Sequence, residues 1–252
     1  MKTIKVKNIE IGAGMPKICI PITGSSKGEI LLDLEEIVRQ KPDLAEWRAD
    51  CYDEVENPEM RLEMLKTISD KLGEIPLLFT FRTSREGGCR DISYEDYVKL
   101  LTETAKSGLI QLADVEIFFR EEEAAGLIAA LQSCGVGVVA SNHDFQKTPS
   151  CEEMSRRLIR MEELGADILK LAVMPKEKSD LFRLLEVTQQ VSNCSQRPVI
   201  TMSMGKIGVL SRICGEITGS ALTFAAGRSA SAPGQIPAEK MRRLLEELHS
   251  IV

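Results

Sequence analysis

Short apolar runs alternate along the chain with longer segments in which apolar residues recur every three or four positions. The short runs predict buried strands and the longer segments predict amphipathic helices, because side chains repeat with a period of two in a strand and 3.6 in a helix. The predicted barrel or sheet strands span residues 17–23, 44–50, 76–82, 109–117, 135–141, 166–174, 198–204 and 221–226. The predicted helices span residues 30–38, 62–72, 94–108, 120–133, 150–164, 180–191, 210–217 and 237–251.

This alternation predicts an α/β fold, a (β/α)8 TIM barrel, because strand and helix units repeat about every thirty residues over a chain of about 250. An open doubly wound sheet is the alternative, and it usually carries a G-x-G-x-x-G turn after its first strand. The corresponding segment here, 23–28, reads Thr-Gly-Ser-Ser-Lys-Gly and lacks that pattern. Residues 1–16 contain a segment, 4–11, that alternates between apolar and polar positions and is closed by Gly12-Ala13-Gly14, which predicts a short β-hairpin appended to the barrel. No interior linker is visible, so we expect a single domain over residues 1–252.

Composition narrows the possible partners and the compartment. The formal net charge is -6 with scattered basic residues, which argues against a nucleic-acid surface and favours a small-molecule substrate. No apolar run approaches the ~20 residues of a membrane span, and the first residues lack the apolar core of a signal peptide, so a cytoplasmic location is expected. Seven cysteines and two histidines without a C-x-x-C pair predict reduced thiols and no metal site.

One lysine lies in the middle of the apolar run 166–174. Lysine is rarely buried without a reason, and desolvation would lower the pKa of Lys170 from about 10.4, so that part of the amine would be neutral near pH 7. A neutral amine is a nucleophile. The alternative is a structural lysine paired with a buried carboxylate.

Other polar residues interrupt or follow the predicted strands near their C-terminal ends, where α/β barrels carry catalytic groups. They recur at intervals of 27 to 34 residues, about one strand and helix unit: Arg48, Arg82, Glu116, His143 and Lys170. Glu46 precedes Arg48 by two residues, which places both on one face of a strand, and Glu86 follows Arg82. We therefore expect these side chains to share the mouth of one barrel.

Several of these residues also have a structural interpretation. Glu46 and Arg48 could form a buried pair, with Glu116 compensating charge, and we expect that compensating role for Glu116. Arg82 and Glu86 could form a solvated loop pair, and His143 could be a turn residue. A histidine beside a buried lysine, with arginines nearby, instead suits imine formation with a ketone substrate that is anionic or rich in hydroxyls. The residues alone thus favour a cofactor-free Schiff-base lyase.

A set of short motifs makes the chain resemble the type I 3-dehydroquinate dehydratase family from about residue 16 onward. The motifs are Glu46-Trp47-Arg48-Ala49-Asp50, Phe79-Thr80-Phe81-Arg82-Thr83 with Glu86-Gly87-Gly88, Ser141-Asn142-His143-Asp144-Phe145, Lys170 within 166–170, Met202-Ser203-Met204-Gly205, Ser211-Arg212 and Ser231-Ala232-Pro233-Gly234-Gln235. The resemblance implies dehydration of 3-dehydroquinate to 3-dehydroshikimate in the shikimate pathway, without a cofactor or metal.

The resemblance also implies a catalytic group of three residues. Lys170 would form an imine with the C3 ketone of the substrate, and His143 would act as general base and general acid in a syn elimination. Glu86 would orient His143 and tune its basicity.

The remaining roles implied by the resemblance concern substrate binding and assembly. Arg212 would bind the substrate carboxylate, and ring hydroxyls would be held by Glu46, Arg48 and Arg82. Ser231 and Gln235 would belong to a lid after the last strand, the alternative being a surface turn. The family further implies a homodimer.

Two other classes of protein are compatible with a lysine in a barrel. A class I aldolase would cleave a carbon–carbon bond, often on a sugar phosphate, but the loop after the last strand lacks a clear glycine-rich phosphate turn. A binding or regulatory barrel would be expected to lose Lys170 or His143, and both are present.

Overall fold

Eight parallel strands form a nearly closed barrel in the computed structural model, which describes residues 3–252. The first two residues of the predicted hairpin segment 1–16 lie outside the described residues. The barrel strands are β3 (Lys17–Ile22), β4 (Leu44–Arg48), β5 (Leu77–Thr80), β6 (Leu112–Glu116), β7 (Gly137–Asp144), β8 (Ile168–Val173), β9 (Val199–Ser203) and β10 (Leu222–Phe224). Neighbours follow chain order from β3 to β9, and β10 pairs with β3, which confirms the predicted barrel.

Helices cover the outside of the barrel, one after each strand with the exception of a more irregular segment after β9. They are α1 (Lys27–Gln40), α2 (Pro58–Leu72), α3 (Tyr94–Lys106), α4 (Glu121–Ser133), α5 (Cys151–Glu163), α6 (Lys178–Cys194), α7 (Gly215–Thr218) and α8 (Ala238–His249). Serine residues cap three of them: the hydroxyls of Ser26, Ser93 and Ser150 accept backbone N–H groups of the first turn. No helix among residues 3–252 is long and apolar enough to cross a membrane.

The period of two along each strand separates two apolar layers. Outward residues such as Trp47 on β4 and Phe79 on β5 pack against the helices in the larger core cluster. Inward residues at the N-terminal ends of the strands form a second cluster inside the barrel: Cys19, Leu44, Leu78, Leu112, Val139, Ile168 and Ile200. The next inward residues, two positions further along, are largely polar, and they form the floor of the site.

A small antiparallel hairpin covers the N-terminal end of the barrel. Its strands are β1 (Ile4–Val6) and β2 (Ile9–Ile11), with Val6 paired to Ile9. Val6 and Ile11 are buried in the inner apolar cluster. The predicted N-terminal hairpin is therefore confirmed, and it seals the end of the barrel opposite the polar residues.

The structure differs from the sequence prediction in three places near the site. The predicted helix 210–217 is a 3-10 helix, Ile207–Arg212, followed by the short α7. Strand β5 ends at Thr80, so Arg82 lies beyond the strand in which it was predicted. Strand β7 continues to Asp144, so His143 lies within a strand and the alternative of a turn residue is wrong.

Candidate active site

Nine of the residues singled out in the sequence line one cavity of about 280 Å³ at the C-terminal end of the barrel, whereas Glu116 does not line it. They are Glu46, Arg48, Arg82, Glu86, His143, Lys170, Arg212, Ser231 and Gln235. The strands deliver them together because the C-terminal ends of parallel barrel strands open at one face. A groove of about 410 Å³ on the outer surface, lined in part by Arg61 and Asp96, contains none of them.

Lys170 projects into the barrel from the middle of β8 and is 3% exposed. Its Nζ atom lies 3.1 Å from Oδ2 of Asp114 and 3.7 Å from Oε1 of Glu46. The same atom lies 4.6 Å from the ring centroid of Phe224 on β10. The buried amine therefore has the carboxylate partner of the structural interpretation, and it also lines the cavity where a substrate would bind.

Asp114 is a site residue that the sequence interpretation missed. It is fully buried on β6, and its carboxylate contacts the amine of Lys170, the guanidinium of Arg82 at 2.8 Å and the hydroxyl of Ser141 at 2.6 Å. Burial alone would raise the pKa of Asp114, but the charges of Arg82 and Lys170 outweigh it and hold the pKa below its usual value. The available signal was the period of two, because Asp114 shares a strand face with Glu116.

Arg82 is the centre of a buried ion-pair network. Its guanidinium lies 2.8 Å from Asp114, 2.9 Å from Glu116 and 3.6 Å from Glu86. Arg82 and Glu86 are 3% and 8% exposed, so the interpretation as a solvated loop pair is wrong. Glu116 therefore compensates buried charge as expected, although the cation that it faces is Arg82. Glu116 also accepts the backbone N–H and the hydroxyl of Thr83.

Arg48 pairs with a residue other than the one predicted. Both oxygens of Asp50 accept hydrogen bonds from the Arg48 guanidinium, at 2.9 and 2.8 Å, whereas Glu46 on the same strand contacts Lys170 and the Thr80 hydroxyl. A structural pair of Glu46 and Arg48 is therefore not formed. Asp50 follows β4 in a 3-10 helix, Ala49–Cys51, which turns its carboxylate back toward Arg48.

Glu86 and His143 form the second polar pair of the cavity. Nδ1 of His143 lies 2.9 Å from Oε2 of Glu86, which also accepts the backbone N–H of His143, and Oε1 accepts the amide of Asn142. Burial and the charges of Arg82 and Lys170 hold the pKa of His143 well below its usual value, so the ring is neutral at pH 7. Burial and the charge of Glu116 raise the pKa of Glu86 to about 8.

Arg212 closes the opposite side of the cavity. It ends the 3-10 helix Ile207–Arg212, is 2% exposed, and donates to the carbonyl of Pro233 at 3.0 Å. No carboxylate lies within ion-pair distance among residues 3–252, its Nε has no hydrogen-bond partner there, and burial lowers its pKa to about 10. A buried cation without a counterion is a site for an anionic ligand.

The loop between β10 and α8 covers the cavity beside Arg212. The side chain of Gln235 bridges Ser231, accepting its backbone N–H at 2.8 Å and donating to its hydroxyl at 2.9 Å. The carbonyl of Pro233 also accepts the backbone N–H of Gly205, which follows β9. The loop is thus held against the segment that follows β9, which contains both Gly205 and Arg212.

Among residues 3–252, one group of side chains has the spacing of metal ligands, and it lies outside the cavity. Asp50, Cys51 and Cys89 each offer one ligand atom within 4.8 Å of the others. The second histidine of the chain, His249, is exposed on α8 and lies 2.7 Å from Glu216, outside the cavity.

Comparisons with known proteins give matches over nearly the whole chain. A family model described as type I 3-dehydroquinase matches residues 18–252. A curated 3-dehydroquinate dehydratase of Clostridioides difficile strain 630 is 45% identical over 252 residues, covering 100% of this chain and 99% of the relative. A crystal structure of the type I enzyme from Clostridium difficile with covalently modified comenic acid has 46% identity, a TM-score of 0.97 and 100% coverage of both chains. A 3-dehydroquinate dehydratase from Geobacillus kaustophilus has 39% identity and a TM-score of 0.96, covering 99% of this chain and 97% of that one.

Proposed function

The chain belongs to the type I 3-dehydroquinase family and dehydrates 3-dehydroquinate in the shikimate pathway, and from this premise we propose that the reaction proceeds through an imine on Lys170. The observation that carries the proposal is the position of the Lys170 amine, which lines the cavity and lies between Asp114 and Glu46. The Clostridium difficile enzyme was crystallised with covalently modified comenic acid, which supports covalent chemistry in a member of the family. An aldolase and a non-catalytic barrel are set aside by the family assignment.

The imine step uses the Lys170 amine and the carboxylate of Asp114 beside it. The amine of Lys170 gives up one proton and attacks the C3 carbonyl carbon. This proton is returned to the carbinolamine hydroxyl, which leaves as water and gives a protonated imine. Asp114 at 3.1 Å is positioned to stabilise the cationic nitrogen before and after this step. The protonated imine withdraws electrons and makes the neighbouring C2–H bond acidic.

The elimination uses the pair formed by His143 and Glu86. With Nδ1–H donated to Glu86 at 2.9 Å, Nε2 of the neutral ring is a free base that can remove the C2 proton. The resulting imidazolium then gives this proton to the C1 hydroxyl, which leaves as water on the same face of the ring. Hydrolysis of the imine releases 3-dehydroshikimate and restores the Lys170 amine.

Substrate binding uses the charged groups on either side of the lysine. Arg212, the buried cation without a counterion, binds the substrate carboxylate. Glu46, Arg48 and Arg82 hold ring hydroxyls, with Arg48 and Arg82 fixed by their own carboxylate partners. Ser231 and Gln235 belong to a lid that closes over bound substrate and excludes water from the imine.

Borohydride reduction in the presence of 3-dehydroquinate tests the imine. The wild-type protein should gain the mass of the reduced ligand on the peptide that contains Lys170, and turnover should be lost irreversibly. Lys170→Ala should show neither adduct nor turnover, while Lys99→Ala, which removes an exposed lysine on α3, should behave as wild type. An adduct on another lysine, or near wild-type turnover of Lys170→Ala, would contradict the proposal.

The division of roles between lysine and histidine needs a separate variant. His143→Ala should turn over slowly but still form the imine, so borohydride should trap more adduct per bound ligand than in the wild type. Calorimetric ligand binding without any trapped adduct would contradict this division.

We also propose a cytoplasmic homodimer. The cytoplasmic location is supported by the seven cysteines, which are all free thiols, as is common in reducing compartments. The homodimer is supported by the neighbouring helices α5 and α6, where Ile159 and Phe182 are 49% and 62% exposed and offer apolar surface to a second copy. Sedimentation equilibrium should give twice the chain mass at micromolar concentration, and cell fractionation should place the enzyme with cytosolic markers. A monomer at all concentrations, or recovery in a secreted fraction, would contradict the respective part.

A further inference from the structure

Two cysteines lie against each other behind the wall of the active site. The Sγ atoms of Cys51 and Cys89 are 3.0 Å apart, although the residues are 38 positions apart in the chain. Cys51 ends the 3-10 helix that follows β4, and Cys89 lies in the loop that follows β5, three residues after Glu86. Neither side chain lines the cavity, so the pair has no part in the proposed reaction.

The two segments that carry these sulfurs are already held together by hydrogen bonds. The carboxylate of Asp50 accepts the backbone N–H of Cys89 at 3.0 Å and that of Arg82 at 3.1 Å. The Arg90 side chain donates to the backbone carbonyl of Asp50 at 3.1 Å. The sulfurs are therefore fixed side by side in the folded protein, and a bond between them requires a shift of about 1 Å toward the ~2.05 Å length of a disulfide.

A metal ion fits this group poorly, although Asp50 completes a possible set of three ligands. Both oxygens of Asp50 are occupied by the Arg48 guanidinium and by backbone N–H groups. Asp50 is also fully buried, so an ion could bind its oxygens only by displacing these contacts. Two thiolates bound to one zinc ion at ~2.3 Å in tetrahedral geometry would lie further apart than 3.0 Å.

We propose that Cys51 and Cys89 form a reversible disulfide when the protein meets a small-molecule disulfide, and that this bond locks the loop of Glu86 to the end of β4. The site is thus a thiol modification site outside the catalytic cavity. Its oxidant is a compound of the oxidised glutathione class, and its reductant is the corresponding thiol.

The exchange proceeds in two balanced steps. Cys89 is exposed, so its thiolate attacks one sulfur of the small disulfide, forms a mixed disulfide and releases one small thiolate. The Cys51 sulfur then attacks the Cys89 sulfur and releases the second small thiolate. The two protein thiols lose their protons to the two thiolates, so the protein is oxidised by two electrons and the small disulfide is reduced to two thiols.

The environment of Cys51 fits the second step better than the first. Cys51 is half-buried, and burial together with the charge of Asp50 raises its pKa well above the usual value. Cys51 alone is therefore a poor target for an oxidant in solution. Its advantage is position, since it lies within 3.0 Å of the sulfur that it must attack.

The bond should stabilise the active geometry. It closes a loop that contains Arg82 and Glu86, and it joins the same two segments that Asp50 already joins. Closing a loop of this size restricts the unfolded chain, which should raise Tm by at least about 5 °C. Because the folded segments move so little, we expect kcat/KM of the oxidised enzyme to stay within about twofold of the reduced value.

Equilibration in glutathione redox buffers, followed by alkylation of free thiols and intact-mass analysis, tests the proposal. The wild type should lose two alkylation sites together in one two-electron transition, and peptide mapping should join Cys51 to Cys89. Cys51→Ser should instead retain a stable glutathione adduct on Cys89. Cys194→Ser, which removes another exposed cysteine, should keep the wild-type transition.

Three results would overturn the proposal. A stable glutathione adduct on wild-type Cys89 without loss of the Cys51 thiol would show that the sulfurs do not bond. A disulfide between other cysteines would place the site elsewhere. Loss of most activity, or an unchanged Tm, in homogeneous oxidised enzyme would show that the bond does not hold the active geometry.

Discussion

Nζ of Lys170 lies 3.1 Å from Oδ2 of Asp114, and the two residues project into the barrel from strands β8 and β6, which are separated by β7. The other oxygen of Asp114 is held by the Ser141 hydroxyl on the intervening strand. Asp114 also contacts Arg82 at 2.8 Å. One carboxylate therefore connects the proposed nucleophile to the buried arginine network.

Asp114→Asn should slow imine formation and destabilise the protein. The variant keeps the shape of the side chain but removes the negative charge that both Lys170 and Arg82 face, and breaking a buried pair on one side costs about 3 to 5 kcal/mol. Urea unfolding measures the stability, and rapid-quench borohydride trapping measures the rate of imine formation.

Glu116→Gln is the matched control for this variant. It removes another carboxylate partner of Arg82, at 2.9 Å, but does not contact Lys170. We expect a loss of stability of similar size with a smaller effect on trapping. Equal trapping rates in Asp114→Asn and the wild type would show that Asp114 has only a structural role.

The raised pKa of Glu86 predicts a pH dependence of stability. The folded pKa of about 8 lies above the unfolded value near 4.5, so the folded protein binds a proton that the unfolded chain releases. This contribution to stability is fully present below pH 4.5 and is lost as the pH rises through 8. Between pH 6.5 and pH 8 the loss should be about 2 kcal/mol.

Glu86→Gln should remove this part of the pH dependence, because glutamine has no proton to lose. Urea unfolding between pH 6.5 and pH 9 avoids the range below 6.5, where the lowered pKa of His143 acts with the opposite sign. Parallel stability curves for the variant and the wild type would contradict the assignment to Glu86.

Arg212→Ala should weaken substrate binding without a large loss of stability. A charged hydrogen bond to a carboxylate is worth about 1.5 to 3 kcal/mol, so KM should rise about tenfold to a hundredfold. Stability should change little, because Arg212 has no carboxylate partner among residues 3–252 and its removal breaks no ion pair. Steady-state kinetics and thermal unfolding measure the two effects.

The control for Arg212→Ala is Arg156→Ala, which removes an arginine on the outside of α5. It should leave KM unchanged. A KM for Arg212→Ala equal to that of the wild type would place the substrate carboxylate elsewhere in the cavity.

Gly88→Ala should damage the loop that carries Glu86. A Cβ at residue 88 would lie 1.8 Å from the carbonyl oxygen of Arg82, so the backbone must move, at a cost of about 1 to 3 kcal/mol. Gly126→Ala on α4 is the opposite case, since its Cβ would meet nothing within 4 Å and alanine favours the helix by about 1 kcal/mol. Thermal unfolding and kcat of both variants check this; a neutral Gly88→Ala would contradict it.

The sequence predicted the barrel and much of the cavity because both follow from a regular repeat. Lys170 could be placed because a charged residue inside an apolar run must be either reactive or paired, and the period of two placed Glu46 beside Arg48 on one strand face. The same period places Asp114 beside Glu116. Asp114 was nevertheless missed, because a carboxylate in that strand also fits simple compensation of buried charge.

Residues beyond the strand ends were less predictable from physical pattern alone. Arg212 lies in a 3-10 helix, where no period distinguishes buried from exposed positions, and only the family resemblance singled it out. The pairing of Arg48 with Asp50 depends on the turn Ala49–Cys51, whose backbone direction is not encoded in apolar spacing. Contacts across loops, such as that of Cys51 with Cys89, require the folded geometry.

The N-terminal hairpin has a kinetic consequence. Val6 and Ile11 of the hairpin are buried in the apolar layer and close one end of the barrel. Among residues 3–252, the cavity of the active site therefore opens to solvent only at the other end of the barrel. Reactant and product must then use the same passage, and neither can bind while the other occupies it. Accumulated 3-dehydroshikimate should therefore act as a competitive inhibitor against 3-dehydroquinate, with inhibition that is overcome at saturating reactant.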